Sequence, residues 1–206
     1  MSDDRELVLS RIRQALASLP RRTPLPQFDA ELMLSNYVKA PLTRIELFGQ
    51  QLERAHGRLY RQVDALVAFL RERRAFGGYV DPKLMPLLSP AFTPEFTLNS
   101  EFAREQIDDY AFGITRATGG IAETGSVILT DRATSRRLAA LAPWIHVAVL
   151  YEAELFLYLG EALASLGDDP NVIFCTGPSK TADVEGILIE GVHGPGEQIA
   201  LVLPSK

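Results

Sequence analysis

Short, near-continuous apolar runs recur through the second half of the chain, at residues 110–115, 126–130, 145–150, 172–175 and 199–203. Runs of this length and composition are the mark of strands covered on both faces, since a half-exposed strand would alternate apolar and polar residues. Between them, residues 134–141 and 152–166 read as helices, the second with Leu155, Leu159, Leu163 and Leu166 on one stripe. Strands that alternate with helices predict an α/β fold built on a mainly parallel sheet with helices on its flanks.

The first half supplies the remaining elements. Leu9, Ile12, Leu16 and Leu19 place an amphipathic helix over 3–19, and Pro20 stops it. From Pro20 to Pro41 the chain carries Pro24 and Pro26 without periodicity, which predicts an extended arm. Thr43 and Glu46 have capping-box spacing and open a helix over 43–56 that Gly57 ends. A short strand over 59–62, a helix capped by Asp64 and running to 74, and a strand over 78–80 follow. This divides the chain into an N-terminal helix and arm, 1–42, and an α/β domain, 43–206. With 206 residues, 47% of them hydrophobic, one sizeable core is expected and two ordinary domains are not.

Charge and cysteine content exclude several function classes. A net charge of −5 lacks the dense cationic surface that non-specific nucleic-acid binding needs, and Arg71, Arg73 and Arg74 are interrupted by Glu72 as on a solvated helix end. Asp3, Asp4 and Glu6 stand where a secretory signal would be positive, and the longest apolar stretch, 138–151, is broken by Pro143 and His146 and is too short to span a bilayer. The chain reads as cytoplasmic and not membrane-inserted. Cys175 is the sole cysteine, so a disulfide or a cysteine-ligated iron-sulfur cluster within the chain is excluded. Electron transfer would then involve a partner or a bound organic cofactor, whose identity the sequence leaves unknown. The three histidines are widely spaced and no HExxH or paired-cysteine pattern appears, so no metal site is expected.

Ligands of open parallel sheets bind beyond the carboxyl ends of the strands, which directs attention to three loops. The first is in GITRATGGIAETGS, residues 113–126, where Gly119, Gly120, Glu123, Thr124, Gly125 and Ser126 precede an apolar strand. Either its backbone amides are free to hold an anion and Glu123 does chemistry, or it is a strand pair joined by a Gly-Gly turn with Glu123 solvated. The second follows the strand ending at Cys175: Ser179 is placed to cap a short helix whose amides, with Lys180, would meet a carboxylate or phosphate, and Thr181 and Asp183 adjoin it. The bland reading is a helix cap with an exposed lysine. The third carries His193 between glycines, titratable near neutrality unless it is simply a solvent-facing loop residue. His146, inside an apolar run, reads as a hydrogen-bonded core residue, His56 as a helix-end cation and Cys175 as a small buried hydrophobe.

The segments AETGS at 122–126, GPSKTADVE at 177–185 and GVHGP at 191–195 resemble, in order and spacing, the lactate utilization protein C family, the stand-alone LUD domain. The resemblance covers about residues 40–206. It implies a fold like that of ribose-5-phosphate isomerase, glucosamine-6-phosphate deaminase and the CoA-transferases. It also implies a role beside iron-sulfur partner proteins in oxidising L-lactate to pyruvate, with a small anionic ligand. Glu123, Thr124, Gly125, Ser179, Thr181, Asp183 and His193 match the family pattern, a match that assigns no role. Lactate oxidation needs a base and a cationic or amide cradle for the carboxylate, for which His193, and Lys180 with the glycine-loop amides, are the candidates, while Glu123 remains a site candidate of unassigned chemistry. Arg116 lies outside the pattern and is a candidate carboxylate partner on local grounds alone. Two other readings stand beside this one: a self-sufficient enzyme on a sugar phosphate, CoA ester or folate with Glu123 as base or nucleophile, and a non-catalytic assembly or regulatory subunit.

Overall fold

The structure is a computed structural model that describes residues 2–17, 41–182 and 187–205. Helix α1 (Ser2–Ala17) forms a unit of its own, close to the expected 3–19, and leaves Leu7, Val8, Ile12 and Leu16 about half exposed. The arm expected after Pro20 lies outside the described residues as far as residue 40, as does Asp183.

The second unit opens with α2 (Arg44–Arg54), whose capping box is complete: the Thr43 hydroxyl accepts from Glu46 N and the Glu46 carboxylate accepts from Thr43 N. Then come β1 (Arg58–Tyr60), α3 (Val63–Glu72), β2 (Gly77–Val80), the single turn α4 (Met85–Leu88), β3 (Thr97–Asn99), β4 (Phe112–Arg116), β5 (Gly119–Ile121) and β6 (Ser126–Thr130). The chain continues through the single turn α5 (Leu138–Leu141), β7 (Ile145–Tyr151), β8 (Leu155–Phe156), α6 (Leu159–Leu166), β9 (Val172–Cys175), β10 (Lys180–Ala182), β11 (Leu188–Glu190) and β12 (Glu197–Leu203).

Six strands form one sheet in the order β1-β12-β7-β4-β2-β3, every neighbouring pair parallel. Its faces alternate with period two, as the pleat requires. In β7, Ile145, Val147 and Val149 enter one core with α3 residues Leu66, Phe69 and Leu70. Ala148 and Leu150 enter the opposite core with Leu47, Phe48 and Leu52 of α2. Both faces are covered, so the near-continuous apolar runs at 145–150 and 199–203 have the cause inferred for them.

Two of the five runs go elsewhere. β6 and β9 pair antiparallel with each other in a second, four-stranded sheet of order β8-β5-β6-β9. β6 is buried throughout, but β9 is the edge strand and leaves Phe174 40% exposed. A fully apolar strand signals two covered faces and not a direction, which is why β6 could not be told from a parallel strand. Other boundaries also move. Residues 152–154 form a 3-10 turn and Leu155 a strand residue, so the helix expected over 152–166 begins at Leu159. The helix expected over 134–141 shrinks to α5. Gln62, not Asp64, stands at the N-cap of α3. At the end of α2 the left-handed residue is His56, with φ +68°, and not Gly57.

Candidate functional site

The glycine-rich stretch is strand, turn and strand. Gly119 and Gly120 lie in β5, buried between β6 on one side and β8 on the other. A Cβ on Gly119 would stand 2.6 Å from the Glu154 carbonyl oxygen, and one on Gly120 2.9 Å from the Phe48 ring. These glycines permit sheet packing against α2 and the second core. The amides are likewise committed: Ala117 N donates to Val149 O, Thr118 N to Ile128 O, Ala122 N to Phe156 O, Glu123 N to Leu157 O and Gly125 N to Ile121 O. An anion cradle made of free amides in this segment is therefore not what the backbone forms, because a central strand spends its donors on both neighbours.

The turn 122–125 does present side chains. Gly125 has φ +68°, and a Cβ there would collide with the Leu52 amide nitrogen and the Gln51 carbonyl carbon, so the turn sits directly on the backbone of α2. Glu123 is half-buried, and among the described residues no hydrogen bond or ion pair engages its carboxylate. Beside it, Leu157 N donates to Glu161, which pairs with Arg44 at 3.1 Å. Thr124 Oγ1 and Ser126 Oγ are 2.7 Å apart, and Ser126 Oγ and Thr176 Oγ1 2.6 Å apart, a chain of three hydroxyls whose middle member is buried and whose ends are exposed. This chain joins the first loop to the second, since Ser126 and Thr176 continue the pairing of β6 with β9.

The second loop forms no helix. Ser179 is half-buried and extended, its N donating to Pro195 O and its O accepting from Gly191 N, so the second and third loops run side by side. Lys180 and Thr181 begin β10, paired with Glu190 and Ile189 of β11. Gly177 has φ +73° where a Cβ would strike the Ala55 carbonyl, bringing this loop onto the end of α2. There Lys180 Nζ donates to Ala55 O at 2.8 Å and pairs with Glu190 at 3.4 Å. His56 Nδ1 donates to the same Glu190 carboxylate at 2.7 Å. The ammonium thus caps the negative end of α2. His193 is exposed in the third loop, and among the described residues no hydrogen bond joins it to Glu123.

The three loops are therefore contiguous along α2, with Gly125 at Leu52 and Gly177 at Ala55. Two participants were not anticipated as members of a site. His56 reads from sequence as a helix-end cation, and Glu190 carries no signal of its own. The only available hint was a histidine rather than glycine at the end of a helix, a position where a non-glycine residue bears a conformational cost. What the arrangement offers chemically is a half-buried carboxylate free to accept a proton, a row of hydroxyl donors, and a Lys-Glu-His cluster at a helix end.

The remaining candidates resolve as packing. His146 is fully buried, and Thr115 and Gln198 lie 2.9 and 2.8 Å from its ring nitrogens. Desolvation pushes its pKa down to about 4 against the opposing effect of the Gln198 hydrogen bond. Burial pushes the Cys175 thiol up to about 11, which disfavours the thiolate a nucleophile needs. Among the described residues no group of three or more His, Cys, Asp or Glu side chains is placed to hold a metal, and no helix is long and apolar enough to cross a membrane.

Comparison with known proteins gives concordant results. The family model described as the LUD domain matches residues 78–203. Lactate utilization protein C of Deinococcus radiodurans is 29% identical over 202 residues, 91% of this chain and 90% of that one. Lactate utilization protein C of Shouchella clausii is 31% identical over 115 residues, 52% of this chain and 50% of its own. The crystal structure of a DUF162 family protein from Deinococcus radiodurans superposes with a TM-score of 0.59 over 79% of this chain and 99% of that one, at 18% identity, a likeness of fold.

Proposed function

The chain belongs to the LUD domain family, and from that premise we propose that it is a cytoplasmic component of a lactate utilization system that acts with iron-sulfur proteins in the oxidation of L-lactate to pyruvate. Similarity to a lactate utilization protein C along nine-tenths of both chains is the observation that carries this reading. Residues 43–206 form the functional unit and 1–42 an appended arm.

The ligand site of this proposal is the face where the three loops follow α2. Oxidation of lactate releases two protons, one from the hydroxyl and one from the carbon that bears it, and two electrons; both protons leave through the loop face to solvent. The electrons leave to the iron-sulfur partners. Glu123, whose carboxylate has no partner among the described residues, accepts the hydroxyl proton. Thr124, Ser126, Ser179 and Thr181 supply hydroxyl donors toward the small anion, and Lys180 supplies positive charge while it caps α2. His193, exposed on the third loop, returns protons to solvent, and Asp183 completes the motif. Gly119, Gly120 and Gly125 act by letting β5 and its turn lie against α2.

Reconstitution tests the proposal. The chain is combined with candidate iron-sulfur partner proteins, and lactate-dependent dye reduction is followed with and without it. Activity is expected only with the chain present, and Glu123→Gln should lower it by about 100-fold, the usual yield of a positioned base. Equal activity without the chain, or turnover of lactate by the chain alone, overturns the proposed division of labour.

A further inference from the structure

A crevice of about 400 Å³ opens at the carboxyl ends of three adjacent strands of the parallel sheet, lined by Lys83, Leu84, Pro86 and Leu87 beyond β2, Arg116 at the end of β4 and Tyr151 at the end of β7. It is separate from the loop face along α2, and the argument for it does not rest on a role in lactate utilization. Its volume lies in the range of small-molecule sites, and open parallel sheets bind ligands at this end.

Its polar groups are held in place. Asp81 is fully buried just after β2, its carboxylate accepting from Lys83 N at 3.0 Å and from Ser135 Oγ and N at 2.9 and 3.1 Å. That clamp fixes the segment from which the Lys83 side chain departs. Lys83 Nζ donates to Ala133 O at 3.0 Å and Arg132 O at 3.3 Å, which leaves one of its three donors. Among the described residues no carboxylate pairs with it. The Arg116 guanidinium pairs with Glu154, donates to Val149 O at 3.1 Å and stands 5.3 Å from the centre of the Tyr151 ring. The described lining includes no acidic residue. Arg116 is thus paired with Glu154 while, among the described residues, the Lys83 ammonium meets only backbone carbonyls, which leaves one unpaired positive charge at the crevice and suits one negative charge better than two.

We propose that this crevice binds a small organic monoanion, its carboxylate on Lys83 beside Arg116 and its apolar body against Leu84, Pro86, Leu87 and Tyr151. Because half the lining is aliphatic, affinity grows with the carbon body. Three additional apolar carbons are expected to tighten binding by about tenfold or more, given the transfer free energy per methylene.

The test is a backbone amide NMR titration of the full chain with three probes: 4-methyl-2-oxopentanoate, pyruvate and inorganic phosphate. Saturable shifts at Lys83, Leu84, Leu87, Arg116 and Tyr151, tightest for 4-methyl-2-oxopentanoate, are the expected result. Lys83→Met and Leu87→Glu, both at exposed positions, should each weaken binding by about tenfold while leaving the rest of the spectrum unchanged. Lys83→Arg should retain most of it. Shifts confined to residues 123–126, 176–180 and 191–195, preference for phosphate, or no saturable shift with any probe would each overturn the assignment. Since lactate oxidation is not measured, these results are independent of the reconstitution outcome.

Discussion

Acidification should destabilise this protein through one buried side chain, His146. Gln198 Nε2 donates to Ile199 O, which leaves the Gln198 carbonyl oxygen to accept from His146 Nδ1–H, and the remaining ring nitrogen accepts from the Thr115 hydroxyl. All three residues are at most 3% exposed, and they stitch β4, β7 and β12 together in the neutral form of the ring. Burial holds the folded pKa near 4, against 6.5 unfolded. Below 6.5 the unfolded chain takes a proton that the folded chain does not, so stability is complete above that pH and falls as pH drops toward 4. The loss reaches roughly 2–3 kcal/mol by about pH 4.5, most of what this group can contribute. Urea denaturation at about pH 7.5 and 4.5, for the native chain and for His146→Gln, isolates the effect, because the two proteins differ only at the buried ring. The difference in acid loss between the two should be roughly 2–3 kcal/mol. Parallel pH profiles, or an NMR titration in which the His146 ring protonates near 6.5 in the folded state, would refute the reasoning.

Gly125→Ala should cost about 2–4 kcal/mol in urea unfolding, since it combines a left-handed backbone with a collision against α2. A change under about 0.5 kcal/mol would mean that the turn does not lie on the helix. Ser126→Ala should cost about 1 kcal/mol, because Thr124 and Thr176 are exposed and can turn to water when the middle hydroxyl is removed. A cost above about 3 kcal/mol would indicate that the chain of hydroxyls is sealed from solvent. Cys175, with its thiol raised to about 11 and its body packed in the second core, should react with iodoacetamide at about pH 8 about 100-fold more slowly than a small-molecule thiol. Equal rates would show that the strand end opens freely.

Local signals carried much of the architecture. The Thr43 and Glu46 capping box, the apolar runs at 145–150 and 199–203 and the helical spacing of residues 3–19 are readable because a cap, a doubly covered strand and an amphipathic helix each leave a mark within one or two turns of chain. The three loops were singled out from sequence as candidates for a ligand site, and the structure joins them through Ser126 with Thr176 and through Ser179 with Pro195. What these loops do with their backbone was not legible. Whether the amides around Gly119 are free or paired depends on β8, some 35 residues later in the chain, and whether Lys180 is free depends on the end of α2, 125 residues earlier.

Sequence by itself determined that this chain is α/β, that it buries one sheet on both faces, and which short segments carry its polar chemistry. Periodicity and composition are properties of neighbouring residues, so no tertiary structure is needed to read them. Only the tertiary structure decided that β6 and β9 leave the parallel sheet for a second one, that Gly119 and Gly120 serve packing, that Glu190 brings His56 and Lys180 together, and that Lys83, Arg116 and Tyr151 face one crevice. Strand direction, donor satisfaction and the meeting of distant charges are relations between segments, and they acquire values only once the chain has closed on itself.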